Sequence, residues 1–309
     1  MSCVLMDLNN LAIRCLFSKD VIGESGNVDW EVWEYRITSS IYSSLFQEKD
    51  VNEIVLASDS RHSWRKLYFP RYKEKRKSQR EKSDVDWEEY FQQFDNLKER
   101  LANNLPFKLI QVKYAEGDDV IGTLCLNYDK TFHIISTDKD FVQLLNKNVS
   151  LYNPVKKQKI EHPRPDNFLE EITLMGQDKD GIFNINTPLN WPAQLRKPPL
   201  GQKKVDKIFI EGIDNYLNNV IDYKKKYTDE NGETQYFNER VNLRERYNQN
   251  KVLLDLSKIP DIVKNRIIDK YENYSLPSPE NIIKFFSYKE WPEYVDNIEN
   301  VEKNLLKLY

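Results

Sequence analysis

Cysteine and histidine are scarce in this sequence, with three of each among 309 residues. Cys3, Cys15 and Cys125 are scattered and odd in number, so no pair has zinc-ligand spacing and no disulfide framework is implied. The histidines form no evident triad with a serine or a cysteine, which disfavours an enzyme that uses a covalent nucleophile. Scattered free thiols fit a reducing compartment, and we therefore expect the protein in the cytoplasm.

Long hydrophobic runs are also missing. No stretch is apolar for long enough to span a membrane, and the N-terminus lacks the basic and apolar regions of a signal peptide. We therefore expect no membrane partner. The chain begins directly at its first predicted strand, which predicts no N-terminal extension for recruiting a partner.

The first half of the sequence alternates short apolar runs with helical patterns. The runs predict strands at residues 3–6, 53–58, 109–112, 132–136 and 149–152. Helical spacing predicts helices at residues 30–46 and 87–101, the second capped by Ser83 or Asp84. Strands separated by helices are typical of a central, mainly parallel sheet flanked by helices. We therefore predict an α/β domain over residues 1–185.

The second half has a different character, because short apolar runs no longer occur after about residue 185. Prolines at positions 188, 192, 198 and 199 predict an irregular connector, and residues 228–233 predict a polar turn. Helical patterns follow at residues 203–217, 243–256, 261–274 and 279–286. We predict a mostly helical C-terminal domain over residues 186–309.

Acidic residues follow four of the five predicted strands, and two more lie further along the chain: Asp7, Asp59, Glu116, Asp118, Asp119, Asp138, Asp140, Asp178 and Asp180. The carboxyl ends of parallel strands form one edge, where ligands bind. Two carboxylates 4 Å apart repel by about 4 kcal/mol at an effective dielectric near 20, so we expect cations to compensate them. Oxygen ligands suit Mg²⁺ or Mn²⁺. For any single acid, a helix cap or a surface charge is the alternative.

The overall charge is not basic, since 46 Lys and Arg stand against 49 Asp and Glu, a formal net charge of -3. Residues 61–82, however, contain ten Lys or Arg and only two acids. Basic side chains bind phosphates, and interspersed aromatics stack on unpaired bases. A solvated basic helix is the alternative. The candidate nucleic-acid-binding residues here are Arg65, Lys66, Arg71, Tyr72, Lys73 and Arg76.

Several motifs together resemble the 5′-nuclease family, which includes flap endonucleases and the 5′-exonuclease domain of bacterial DNA polymerase I. The most specific is Thr137-Asp138-Lys139-Asp140, which is very close to the family's Asp-Lys-Asp box. Glu116-Gly117-Asp118-Asp119 is similar to its Glu-Ala-Asp-Asp box. Residues 199–205 resemble the glycine-lysine turn of a helix-hairpin-helix. The likeness covers nearly the whole chain and is strongest to the phage ribonucleases H of this family.

The resemblance implies 5′→3′ exonuclease and flap endonuclease activity on DNA with a 5′ flap or nick and on RNA–DNA hybrids. The implied task is removal of RNA primers in phage DNA replication, with a single-strand-binding protein or a sliding clamp as a partner. The implied cofactors are two Mg²⁺ ions, for which Mn²⁺ can substitute. It also implies a basic helical arch over residues 60–100 and a duplex-binding motif at Gly201, Lys203 and Lys204.

The resemblance assigns roles to the candidate site residues. It implies that the first ion is held by Asp7, Asp59, Glu116 and Asp118, and the second by Asp138, Asp140 and Asp180, with Asp118 or Asp119 bridging. Lys73 and Arg76 would neutralise charge on the scissile phosphate, and Tyr72 would stack on the frayed terminal base. Two such ions roughly 3.5–4 Å apart can activate the attacking water and stabilise the leaving oxygen.

One departure from the family pattern bears on the second ion. The family has Gly-Asp-x-x-Asp-Asn, whereas this chain has glycine at 176, Gln177, then Asp178, Asp180 and Gly181. Either the neutral glutamine weakens the second metal site, or Asp178 substitutes through a shift of the backbone. Two other classes of protein stay open. One is a compact toxin-like ribonuclease, which would lack the helical second half. The other is a structure-specific DNA-binding protein without catalysis, and Gln177 favours this alternative.

Overall fold

The computed structural model describes residues 2–23, 27–46, 48, 50–162 and 164–309. The chain forms two compact units. The sheet unit comprises Met1–Trp64, Lys82–Glu161 and Ile259–Tyr309, and the hairpin unit comprises Arg65–Glu81 and His162–Lys258. This division differs from a boundary at residue 185, because the chain enters the hairpin unit twice and its last residues pack in the sheet unit.

The sheet unit is built on a six-stranded sheet of order β3-β2-β1-β4-β5-β6, whose first five strands are parallel. The strands are β1 (Ser2–Asp7), β2 (Val51–Ser58), β3 (Lys108–Gln111), β4 (Thr131–Ile135), β5 (Val149–Asn153) and β6 (Gln158–Lys159). The five predicted strands are confirmed, and the short antiparallel β6 was not predicted. All six residues of β1 are buried, as expected of a central parallel strand covered on both faces.

Helices surround the sheet and make up much of the hairpin unit. They are α1 (Leu8–Leu16), α2 (Trp30–Ser44), α3 (Trp64–Tyr68), α4 (Lys75–Glu81), α5 (Trp87–Asn104), α6 (Gly117–Asn127), α7 (Phe168–Met175), α8 (Gln202–Glu211), α9 (Ile213–Leu217), α10 (Leu243–Leu254), α11 (Asp261–Glu272), α12 (Glu280–Lys289), α13 (Pro292–Val295) and α14 (Ile298–Leu305). Short 3₁₀ helices lie at Lys139–Leu144, Pro165–Asn167, Asp178–Asp180, Leu256–Lys258 and Leu306–Leu308.

Two details of the predicted helices are wrong. The cap of α5 is Asp86, not Ser83 or Asp84, because the Asp86 carboxylate accepts from the amides of Glu88 and Glu89. The helix predicted at residues 203–217 is two helices, because Gly212 at a φ of +92° breaks the helical backbone between α8 and α9.

The C-terminal segment belongs to the core of the sheet unit. Phe286 of α12 stacks on Tyr294 with ring centroids 4.6 Å apart, and the Tyr294 hydroxyl bonds to Ser39 of α2 at 2.9 Å. Glu34 of α2 is buried and accepts from Arg100 of α5 at 2.6 Å and from Lys289 of α12 at 2.8 Å. The buried carboxylate of Glu34 therefore links three helices that are distant in sequence. Both cations compensate its charge, because an unpaired buried charge is energetically costly.

The hairpin unit contains two strands that the sequence did not predict. β7 (Val220–Thr228) pairs antiparallel with β8 (Thr234–Asn242) over their whole length. The mostly helical character of the second half is confirmed, but these two strands were not predicted. Their apolar residues, such as Ile221, Phe237 and Val241, are interspersed with polar or charged ones and form no long run. The polar turn at residues 228–233 is confirmed as the connection of these two strands.

No helix within the described ranges is both long enough and apolar enough to cross a membrane.

A charged cluster lies at the amino ends of the parallel strands, opposite the predicted site. Glu53 of β2 accepts from Lys108 at 2.7 Å, from Lys130 at 3.1 Å and from the Tyr271 hydroxyl at 2.7 Å. Burial raises the pKa of Glu53, but the hydrogen bonds from Lys108 and Tyr271 and the two ammonium charges outweigh it and lower this pKa overall. The ionised carboxylate therefore stabilises the fold.

This cluster predicts how stability depends on pH. Because the folded pKa of Glu53 is lowered, its contribution is present above the unfolded pKa, about 4.3, and is lost as the pH falls through the folded value. Glu53→Gln should lower the free energy of unfolding by about 1–3 kcal/mol at pH 7. The difference in the free energy of unfolding between Glu53→Gln and the wild type should become smaller below about pH 4. Urea titrations at pH 7 and pH 3.5 measure this difference at each pH.

The control for this measurement is Glu280→Gln, because Glu280 is 81% exposed and pairs with Lys284 on its own helix. It should change the free energy of unfolding by less than about 0.5 kcal/mol. A constant gap between Glu53→Gln and the wild type at both pH values would show that the carboxylate is not the stabilising form.

Candidate active site

Asp7 and Asp59 stand at the same edge of the sheet because β1 and β2 are parallel and in register. Asp7 is the last residue of β1 and lies opposite Ala57 of β2, two residues before Asp59. Asp7 is also the N-cap of α1, since its Oδ1 accepts from the Asn10 amide at 2.9 Å. The first predicted ligand therefore sits at a strand end and a helix start together.

Asn9 joins the ends of these two strands. Its Oδ1 accepts from the Asp59 amide at 2.8 Å and from the Ser58 hydroxyl at 3.2 Å. The amide side chain thereby holds the start of α1 against the end of β2, with Asp7 and Asp59 on either side. The sequence pattern did not indicate this positioning role of Asn9, because the role depends on the contact between the ends of two strands.

The start of α6 is fastened to the same edge through Asp59. The Asp59 Oδ1 accepts from the Gly117 amide at 2.7 Å, and Glu116 is the N-cap of α6. A Cβ on Gly117 would lie 3.4 Å from the Ala57 carbonyl oxygen, an ordinary contact distance, so the start of α6 packs against the end of β2. The chain thus brings Glu116 and Asp118, which flank Gly117, to the ends of β1 and β2.

The Asp119 carboxylate is held by hydrogen bonds inside the protein. It is fully buried, and its Oδ2 accepts from the Glu116 amide at 2.8 Å and from the Trp64 indole Nε1 at 3.1 Å. These contacts cap the first turn of α6 and hold Trp64 against it. The interpretation of a single acid as a helix cap therefore describes Asp119, which forms a capping box with Glu116.

Asp138 and Asp140 come to the edge from the other side of β1. The Asp138 Oδ1 accepts from the Asp140 amide at 3.0 Å, which starts the 3₁₀ helix after β4. The Thr137 hydroxyl donates to the Asn10 Oδ1 at 2.9 Å, so this loop is tied to the first turn of α1. The neighbouring strands β2, β1 and β4 therefore carry Asp59, Asp7 and Asp138 at their carboxyl ends.

The chemistry of these donors suits a hard divalent cation, because they are carboxylates at one edge of a parallel sheet. Among the residues that the structure describes, no group of three or more His, Cys, Asp or Glu side chains is arranged to hold a metal ion. Asp7, Asp59 and Asp138 each direct one oxygen to a backbone amide. The assignment of individual acids to two ions thus stays a prediction.

The predicted basic residues lie at the start of the hairpin unit and differ in exposure. Arg65 is buried, and its Nε donates to the Leu253 carbonyl at 2.8 Å, so this guanidinium anchors the segment. Tyr72 is buried as well, with the Lys73 ammonium 4.8 Å from its ring centroid. Lys66 is exposed, and Arg71 is exposed with its Nη1 donating to the Leu189 carbonyl. The segment is therefore partly structural.

The turn at residues 176–182 packs closely against this basic segment. The Lys73 amide donates to the Asp180 carbonyl at 2.9 Å. Gly181 has a φ of +78°, and a Cβ there would lie 2.7 Å from the Arg71 carbonyl oxygen. The family pattern has asparagine at this position, and asparagine and glycine both adopt the left-handed conformation more readily than other residues.

Asp178 and Asp180 have different surroundings in this turn. Asp180 is buried and pairs with the Arg76 guanidinium at 2.8 Å. Asp178 is 62% exposed and pairs with Lys197 at 2.7 Å. Gln177 bonds through its backbone to Ile182. Of the two acids, Asp180 is therefore the one held in a defined position beside the predicted phosphate-binding arginine.

The predicted duplex-binding motif lies at the start of α8. Gly201 is the N-cap of this helix, and nothing lies within 4 Å of the Cβ that it lacks. Lys203 and Lys204 are exposed in the first turn. A helix N-terminus with exposed lysines can bind a phosphate through its amides and its charge, which is compatible with the predicted role.

Comparisons with known proteins identify the family. The model of the 5'-3' exonuclease N-terminal resolvase-like domain matches residues 2–173, and the model of the T4 RNase H C-terminal region matches residues 213–301. The first match spans more than half of the chain, so the chain belongs to the 5'-3' exonuclease family. It is thus a nuclease, that is, a phosphodiester hydrolase.

Individual relatives agree with this assignment. The ribonuclease H of Enterobacteria phage T4 is 26% identical over 293 residues, which cover 91% of this chain and 90% of the relative. The 5'-3' exonuclease of Buchnera aphidicola subsp. Schizaphis graminum is 24% identical over 164 residues, which cover 49% of this chain and 54% of the relative.

Two solved structures of bacteriophage T5 enzymes share the fold. The 5'-exonuclease with bound zinc is 17% identical, with a TM-score of 0.60 over 89% of this chain and 100% of its own. The flap endonuclease in a pseudo-enzyme-product complex with DNA and metal ions is 16% identical, with a TM-score of 0.51 over 100% of this chain and 99% of its own.

The position of Asp119 predicts that its removal damages the fold. Asp119→Ala leaves two buried donors, Trp64 Nε1 and the Glu116 amide, without this acceptor, at about 1–3 kcal/mol each. We expect the free energy of unfolding to fall by about 2–5 kcal/mol. Asp118→Ala, which changes the adjacent and partly exposed acid, should lower the free energy of unfolding by a smaller amount. Equal losses in urea titrations would mean that Asp119 has no special structural role.

Proposed function

We propose that this chain is a divalent-metal-dependent 5′→3′ exonuclease and flap endonuclease that hydrolyses phosphodiesters of DNA and of RNA paired with DNA. Removal of RNA primers during phage DNA replication is the proposed task. The observation that carries the proposal is the common edge at which neighbouring parallel strands place Asp59, Asp7 and Asp138. Membership of the 5'-3' exonuclease family supports the reaction class.

The residues of this edge would hold the cofactor, for which we propose two Mg²⁺ ions that Mn²⁺ can replace. Bound divalent cations supply an activated water and stabilise charge on the leaving oxygen. We propose that Asp7, Asp59, Glu116 and Asp118 bind the first and that Asp138 and Asp140 help bind the second. The backbone amides that fix Asp7, Asp59 and Asp138 orient these carboxylates before any ligand arrives.

The basic groups would bind the substrate. Lys66, Lys73 and Arg71 carry charge on the exposed segment, and Lys203 and Lys204 carry it at the start of α8. Phosphate contacts of this kind supply most of the affinity for nucleic acid without reading its sequence. We therefore propose a substrate recognised by its structure, a 5′ flap or a nick, with Lys73 and Arg76 addressing the scissile phosphate.

A DNA-binding protein without catalysis is the second candidate. Gln177 stands where the family has an acid, and Asp180 is already paired with Arg76. Both features would weaken a second metal site. Tight binding of a flap substrate without turnover in either Mg²⁺ or Mn²⁺ would favour this alternative.

Removal of the metal tests the proposed reaction. A duplex with a labelled 5′ flap should be cleaved in Mg²⁺ and left intact in EDTA. Asp138→Asn keeps the oxygen that caps the Asp140 amide but removes the charge, so cleavage should fall at least about 100-fold, a loss of roughly 3 kcal/mol of transition-state stabilisation. DNA binding in EDTA should change little.

Asp95→Asn is the control, because Asp95 is 64% exposed on α5 and pairs with Lys98 on the same helix. It should cleave like the wild type. Cleavage by the wild type in EDTA at the Mg²⁺ rate, or normal cleavage by Asp138→Asn, would contradict the metal mechanism.

The role of Lys73 can be separated from general charge. Lys73→Ala should lower kcat about 10–1,000-fold, because it removes a cation proposed to stabilise transition-state charge. Lys75→Ala removes an exposed cation of the same segment and should instead raise KM slightly with kcat unchanged. Single-turnover cleavage of the flap substrate distinguishes the two effects, and equal kcat values for both variants would contradict the assignment.

A further inference from the structure

The exposed face of α1 leads away from the acidic edge. Asn10, Ile13, Arg14 and Phe17 are spaced i, i+3, i+4 and i+7, which places them on one side of the helix. All four are partly or fully exposed, whereas the residues between them that face the core are buried. At 1.5 Å per residue, this stripe runs roughly 15 Å from Asp7 to Phe17. Its two ends differ in chemistry, polar at Asn10 and aromatic at Phe17.

Phe17 is part of a cluster of surface aromatic rings, which we call the aromatic platform and define as Phe17, Trp87 and Phe91. Phe17 is 55% exposed and Phe91 is 42% exposed. The Trp87 ring lies between them, with centroids 6.4 Å from Phe17 and 6.3 Å from Phe91. Such a group of exposed rings on one surface offers flat apolar faces to a ligand.

Arg14 adds a positive charge to this stripe. The Arg14 guanidinium is partly buried, and burial lowers its pKa. Its position three residues before Phe17 places the guanidinium on the same face as the platform. A partly exposed guanidinium can bind a phosphate through charge-assisted hydrogen bonds.

Helix α1 links the platform to the acidic edge. Asp7 is the N-cap of α1, and Phe17 is its C-cap. The Tyr90 ring is buried next to the platform, 5.5 Å from the Trp87 centroid and 5.3 Å from the Phe91 centroid. The platform therefore lies one helix length from the acidic edge.

We propose that Arg14 and the aromatic platform bind the single-stranded 5′ segment of the substrate, with a phosphate on Arg14 and unpaired bases stacked on Phe17 and Phe91. This inference rests on the proposed function for the identity of the substrate. Single-strand-binding surfaces combine cations that follow the backbone with aromatic rings on which bases stack. A protein partner is the other possible occupant, but it would not explain why a cation and stacking rings lie on one face of a helix that starts at the acidic edge.

Binding of metal-free protein to synthetic DNA tests the proposal without cleavage. The probes are a duplex with a 5′ single-stranded flap that carries 2-aminopurine and the same duplex without a flap, both in EDTA. Phe17→Ala and Phe91→Ala should each weaken flap binding about 5–150-fold, the equivalent of 1–3 kcal/mol per stacked base, and should relieve quenching of the fluorophore. Arg14→Gln should lower the salt dependence of flap binding by about one phosphate contact.

Phe46→Ala is the matched control, because Phe46 is 60% exposed and contacts Tyr42 rather than the platform. It should bind both probes like the wild type, and no variant should lose affinity for the flapless duplex. Wild-type affinity of Phe17→Ala and Phe91→Ala for the flap would overturn the proposal, as would an equal loss for both probes.

The proposed function can fail separately from this inference. If the wild type binds the flap through Phe17 and Phe91 but cleaves nothing in Mg²⁺ or Mn²⁺, the result supports the aromatic platform and contradicts the proposed nuclease activity. If the wild type cleaves while Phe17→Ala binds and cleaves normally, the result supports the nuclease activity and contradicts the binding role of the platform.

Discussion

The parallel pairing of β1 with β2 on one side and β4 on the other is the constraint on which the rest depends. In this register Asp7 aligns with Ala57, and the strands end together, so the acids that follow them meet at one edge. Carboxylates at a common edge repel one another more strongly the closer they lie, so a fold of this kind needs compensation. Part of it is internal: backbone amides of α1, α6 and the 3₁₀ helix after β4 donate to Asp7, Asp59 and Asp138.

This use of backbone amides links stability to function. An amide that donates to a carboxylate favours its charged form and fixes its direction. The same contacts start helices, so Asp7 and Asp138, which we propose as ligands, are also helix caps. Asp119 differs, because one oxygen of its fully buried carboxylate accepts from both Trp64 and Glu116. Its hydrogen bonds, rather than burial alone, give Asp119 a structural position, since Glu116 is also buried.

The hairpin unit is organised around a different contact. The turn that carries Asp178 and Asp180 packs closely against residues 71–73, since a Cβ at position 181 would lie 2.7 Å from the Arg71 carbonyl oxygen. Arg76, in the first turn of α4, pairs with Asp180 there, which ties the start of this helix to the turn. The basic residues thus include anchors, such as Arg65, as well as exposed cations, such as Lys66, and composition alone does not separate the two.

The sequence by itself determined the parallel sheet, its five strands and the acids that follow them, because continuous apolar runs and strand-end residues are local signals. It also identified the family through short motifs. It did not show β7 and β8, since their apolar residues are interspersed with polar or charged ones, nor that residues 259–309 pack in the sheet unit. Only the tertiary structure decided which acids are caps, which cations are buried and that Asn9 joins two strand ends, because these depend on contacts between residues far apart in the chain.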